Sequence, residues 1–276
     1  MKTQRKFHAP SRHACKGFTL VEIAVVLVII GLILGAVSIG KDVQRNAEYA
    51  KIKQKFIDQW AVAYNAYGQR TGYPVGDNQQ EPRYMVNGAH HNATVTADGV
   101  VSGGDMASTP TLPPALCHGA QGPKMTRAHE SSGGFDLREL MQKAGVRMPP
   151  GRAEGREDRY VYLDSNGNPQ EIQVCFQWNK PGTAVGAGNV MVVTGLTPDL
   201  ARSLDQMIDG KPDAREGVFR QEGIDNGMGN QAGLEWGANN TQKYTTNNVT
   251  TGATTVGDQL DENQIETVVA IYKMNQ

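Results

Sequence analysis

The sequence predicts an α+β protein: one long amino-terminal helix, then a globular domain carrying an antiparallel β-sheet. Three observations predict it. Phe18 to Gly40 form a 23-residue stretch whose only charge is Glu22. Behind it, Lys41 to Gln69 contain no Pro and one Gly, and apolar residues recur four apart along one face. Beyond Tyr73-Pro74 the pattern changes to short alternating runs punctuated by Gly, Pro and Asn. A long helix followed by strands gives segregated α+β layers rather than alternating βα units.

The first half of the helix spans residues 18–40. At a rise of about 1.5 Å per residue this run crosses a hydrocarbon core of ~30 Å. A carboxylate within it costs several kcal/mol in lipid, which marks Glu22 as a candidate functional residue. Gly31 and Gly35 form a G-x-x-x-G that lets helices approach closely, although glycines are also simply frequent in membrane helices. The second half, residues 41–72, is amphipathic. Ile52, Phe56, Trp60 and Tyr64, with Ala63 and Tyr67 beside them, make one apolar face, and Lys51, Lys53, Lys55 and Asp58 lie elsewhere on the helix. Together the halves predict a continuous helix of about 50 residues, or roughly 75 Å.

Residues 73–276 are enough for one domain with a single core. The stretch 76–134 is turn-rich and reads as long loops. Asp136 then supplies an N-cap with Glu139 as its capping-box partner, opening a short helix that stops at Gly145. Arg159–Leu163 and Glu171–Trp178 alternate apolar and polar residues across an Asp164-to-Pro169 turn, which predicts a hairpin. Asn189–Val193 is a third strand. Thr197-Pro198-Asp199 opens a second helix through Leu200, Leu204 and Ile208, and Gly210 ends it. Gly217–Arg220 is a further strand, 221–258 reads as a mobile surface loop, and Gln264–Met274 is the final strand.

Ahead of the apolar run, residues 1–17 hold Lys2, Arg5, Lys6, Arg12 and Lys16 and no acid. Residues 17–23 read Gly-Phe-Thr-Leu-Val-Glu-Ile. This pattern, with a basic leader before it and an apolar span after it, resembles the processing site of type IV prepilins and of the related pseudopilins of type II secretion. The resemblance covers residues 1 to about 45. It implies cleavage after Gly17 by a membrane peptidase, N-methylation of Phe18, and a role for Glu22 in setting subunit register in a helical filament. It further implies other pilin subunits, the prepilin peptidase and methylase and an inner-membrane assembly platform as partners, with the globular domain periplasmic and the assembled filament at the cell surface.

Three other readings of the amino end compete with this resemblance. A secretory signal peptide has a shorter apolar core followed by a small-residue cleavage site. A lipoprotein needs an apolar segment before Cys15, where Arg12-His13-Ala14 stand. A plain single-pass anchor accounts for the span and the basic leader, but for neither Glu22 nor the Gly17-Phe18 junction. Subunits of the main pilus shaft usually carry a Pro about twenty residues into the mature chain; here that position is Ile39, and no Pro stands between Phe18 and Pro74. That departure, and the size of the domain, favour a minor or accessory subunit. Alternatives are a pseudopilin of type II secretion or a membrane-anchored ligand-binding protein that never polymerises.

The resemblance implies that Cys15 leaves with the leader and that Cys117 and Cys175 remain on the oxidising side of the membrane, where two cysteines usually pair; two free thiols are the alternative. Asp205, Asp209 and Asp213, with Glu216, are weak candidates for a Ca²⁺ site without EF-hand spacing, and acids near a helix end are usually just solvated. His90-His91 lacks a third ligand at helical or hairpin spacing. A net charge of −1 argues against nucleic acid as a partner. Gly-x-Ser-x-Gly and phosphate-loop patterns are both missing, so no enzyme and no cofactor is expected.

Overall fold

The computed structural model describes residues 19–91, 112–129, 135–224, 233–237, 242–244, 259–261 and 266–274. Contacts divide the chain into two units, Met1–Ala47 and Glu48–Gln276. In the first unit lies most of helix α1, Leu20–Ile52, whose large apolar side chains from Leu20 to Val43 are exposed on all sides. A helix apolar all round is one built for lipid or for packing against other helices.

The second unit begins on the last residues of α1, passes through a single π-helical turn at Lys53–Ile57, and continues as α2, Asp58–Thr71. Every member of the predicted apolar face, Ile52, Phe56, Trp60, Ala63, Tyr64 and Tyr67, is buried. The π turn was not foreseen. It widens the helix by about one residue, so Phe56 and Ile57 are both buried, and it brings Lys53 Nζ to 2.8 Å of Asp58, five residues on. Gly72 ends α2 at φ 83°, a left-handed value that suits glycine.

Helix α3, Leu137–Lys143, forms as predicted on Asp136, whose carboxylate accepts the Arg138 and Glu139 amides. Glu139 approaches Lys143 instead of closing the capping box. Asp136 also binds His118 Nδ1 at 2.8 Å, and His118 Nε2 meets the Gly155 carbonyl at 3.0 Å, so both ring nitrogens serve to clip loops together.

The strands are β1 (Arg159–Leu163), β2 (Pro169–Asn179), β3 (Gly188–Leu196), β4 (Phe219–Gln221), β5 (Gln242–Tyr244), β6 (Gln259–Asp261) and β7 (Val268–Lys273). Five of them form an antiparallel sheet in the order β1-β2-β3-β7-β4, and β5 pairs with β6 separately. Period-two alternation sorts β2 onto two faces. Val174, Phe176 and Trp178 join the core under α2; the Tyr64 ring stacks on Phe176 at 5.1 Å, and Trp60 lies 6.1 Å from it. Cys175 points the other way, into a smaller cluster with Ala115, Cys117, Met125, Val190 and Val192. The segment 112–129 builds this second layer. Leu116 and Phe176 exchange backbone hydrogen bonds of 2.7 and 2.9 Å beyond the end of β1, which sets Cys117 beside Cys175, and the two form a disulfide.

Helix α4, Pro198–Asp209, is inserted between β3 and β4 and ends at Gly210 with φ 80°. Thr197 occupies its N-cap position, but its hydroxyl makes no capping bond; its amide instead donates to the Tyr162 hydroxyl at 2.9 Å. The reading of 221–258 as a surface loop needs correction for its described parts. Trp236 is fully buried against Phe219, with ring centroids 5.2 Å apart, and β5 lies in the same stretch. One tryptophan ties the described residues 233–237 to the core.

Candidate assembly site

The first turn of α1 is closed by its own side chains. Thr19 stands at the position before Leu20, and its amide and hydroxyl donate to Glu22 Oε2 at 2.8 and 2.9 Å. The Glu22 amide returns a hydrogen bond to Thr19 Oγ1 at 3.3 Å. This is a reciprocal capping box, with a carboxylate at the positive end of the helix dipole. The carboxylate therefore has local partners in a helix whose flanks are apolar. Thr19 escaped the sequence reading, although its Thr-x-x-Glu spacing ahead of an apolar run is the signal that finds such a box.

Along the same helix, Gly31, Gly35 and Gly40 face open space: a Cβ built on any of them meets nothing within 4 Å. Glycine inside a helix costs about 1 kcal/mol relative to alanine, and no packing within the described chain requires it here. Gly31 and Gly35 thus leave a flat strip on an exposed helix. Gly17 and Phe18, the predicted processing residues, lie outside the described residues, as does Cys15.

The acidic candidates meet different fates. Asp205 is fully buried, and its Oδ2 accepts the Trp236 indole N–H at 2.7 Å. Asp209 Oδ2 accepts the Val218 and Phe219 amides at 2.9 and 3.0 Å. Asp213 Oδ1 accepts the Arg215 and Glu216 amides, and Oδ2 lies 2.6 Å from Lys211 Nζ. These carboxylates fasten the end of α4 to β4 and to the Trp236 segment. Among the described residues no three His, Cys, Asp or Glu side chains are grouped to hold a metal ion. His90 packs against the Phe135 ring at 3.9 Å, and His91 is buried.

Burial pushes the Asp205 carboxyl up to about 7, and the adjacent Asp209 adds to the rise. A carboxyl raised in the folded state keeps its proton where the unfolded chain has lost it. Its contribution is complete below the unfolded value near 4 and falls as pH climbs toward about 7, by at most ~1.4 kcal/mol per pH unit. Asp205→Asn keeps an acceptor for Trp236 and cannot ionise. Thermal unfolding across this range should show wild type losing ground to the variant as pH rises, with the gap constant above about pH 7. Parallel profiles would refute this assignment.

An all-round apolar, end-capped amino-terminal helix followed by an α+β domain is the architecture expected of a protein carried on an amino-terminal stem. Residues 12–38 match the family described as the prokaryotic N-terminal methylation motif. The match supports recognition as a type IV prepilin or pseudopilin, whose family is structural rather than catalytic. The motif and the apolar helix fit membrane anchoring. Comparison with curated proteins and with solved structures gave no match.

Proposed function

We propose that the chain is a minor or accessory pilin-like subunit, cut after Gly17, N-methylated on Phe18 and assembled through α1 into a type IV pilus or a related filament. The observation that carries this reading is the methylation motif joined to a helix that is apolar and exposed on every side. The open strip at Gly31 and Gly35 adds support, because close helix–helix contact gives those glycines a purpose. In this reading the basic leader stays cytoplasmic and residues 73–276 are periplasmic until assembly carries them to the cell surface. Other pilin subunits, the prepilin peptidase and the inner-membrane assembly platform are the partners.

Intact-mass and amino-terminal peptide analysis of protein from the native host tests the reading. The mature chain is expected to begin at N-methylated Phe18. Mature protein that still carries Met1 would end it.

A further inference from the structure

A cleft of about 530 Å³ opens between the last turns of α2 and the loop that follows, within the usual range for small-molecule sites of ~300–1,000 Å³. Its walls include Tyr64, Tyr73 and Tyr84, with Asn65 and Gln69 on the exposed helix face and Gly68 between them. No lining residue is charged.

Tyr84 is the unusual member. The residue is 68% exposed, yet its backbone sits at φ 57°, a left-handed conformation uncommon for a bulky residue. Buried polar groups impose that conformation. Asn189 Nδ2 donates to the Tyr84 carbonyl at 3.0 Å, and its Oδ1 accepts the Val86 amide at 2.8 Å. Asp77 Oδ2 accepts the Arg83 and Met85 amides at 2.9 and 3.3 Å. The loop thus pins the Tyr84 backbone in an uncommon conformation while its side chain stays exposed, which is backbone preorganisation at the cleft wall.

Gly68 points the same way. It lies inside α2, where glycine weakens a helix, and a Cβ on it would meet nothing within 4 Å. The fold gains nothing from its lack of a side chain; the cleft floor stays open because of it. Asn65 and Gln69, four apart on one helix face, offer carboxamides that both donate and accept, and among the described residues neither is engaged elsewhere.

We propose that this cleft binds a neutral saccharide, one face of a pyranose ring lying on Tyr84 and Tyr73 and its hydroxyls meeting Asn65 and Gln69. The C–H groups of a sugar face carry slight positive charge and suit the negative face of an aromatic ring. Each hydroxyl donates and accepts, as a carboxamide does. An ionic ligand would find no counter-charge. A proline-rich peptide shares the taste for tyrosine, but its proline units offer acceptors only and leave the carboxamide oxygens unpaired.

The test is an array of neutral and anionic glycans probed with the full chain in detergent, followed by titration of each retained glycan by ligand-observed NMR. Retention of neutral glycans is expected. Tyr84→Gly, which relieves the positive φ, should weaken binding about tenfold, equivalent to ~1.4 kcal/mol, with melting temperature unchanged or raised. Gly68→Ala should likewise weaken binding without loss of stability. Retention of anionic glycans only, retention of none, competition by a decaproline peptide for the same site, or full binding by both variants would each overturn the proposal. The cleft lies wholly within residues 48–276, so the result is independent of whether α1 polymerises.

Discussion

Glu22→Ala protein is expected to enter the membrane and to be cut after Gly17, yet to be depleted from sheared filaments about tenfold or more. Removing an ionisable group from an apolar span makes insertion easier, since the lost charge was worth several kcal/mol against lipid. What disappears is the acceptor for the first turn, now bonded to Thr19 at 2.8 and 2.9 Å, and a negative charge available to a neighbouring subunit. Glu22→Gln separates the two roles. Glutamine can still close a capping box but cannot pair with the amine freed at Phe18. If the charge sets register, both variants fail to assemble; if only the cap matters, Glu22→Gln assembles normally. Wild-type amounts of Glu22→Ala in filaments would show that neither role governs assembly.

The second large effect belongs to the disulfide. Cys117 and Cys175 are expected to resist alkylation in the denatured, unreduced protein and to label fully after a reductant is added. They are 58 residues apart in sequence, and closing a loop of that size stabilises the fold by roughly 4 kcal/mol in the chain-entropy model. A Cys117→Ala, Cys175→Ala chain should therefore melt on the order of 10 °C lower, at about 2–4 °C per kcal/mol for a domain of this size. The loss falls first on the segment 112–129, which is joined to the sheet by this bond, by the Leu116–Phe176 backbone pair and by the small cluster around Val192. Free labelling of both thiols without reductant would refute the bond.

The stem helix was legible because its signals are local. The spacing of Ile52, Phe56, Trp60 and Tyr64 needs only helical geometry to become a buried face. The strands from Arg159 to Val193 were legible for the same reason, although β2 and β3 run further than their alternation because both faces of the sheet are covered. The π turn at Lys53–Ile57 leaves no trace in composition, since a widened turn uses the same residues as a regular one. Trp236 could not be placed from its neighbours; its burial depends on Asp205 and Phe219, distant in sequence. Glu22 was legible as a lone charge in an apolar span and its role from resemblance, whereas the bonds between Thr19 and Glu22, although their spacing carries a signal, were recognised from the geometry. The cleft beside Tyr84 was invisible, because it depends on an asparagine a hundred residues away.

The position of β7 has a consequence for how such a chain matures. β7 is the latest described strand in sequence, yet it lies inside the sheet between β3 and β4. Until residues 268–273 arrive, β3 presents an open edge to solvent, and β4 lacks its partner in the sheet. A chain made from its amino end therefore waits for its keystone until the last described strand is complete. Closing contacts of such long sequence separation is slow. The topology acts as a completeness check: a stalled or shortened chain that lacks residues 268–273 cannot seal its sheet, and the open edge of β3 stays accessible to chaperones and proteases.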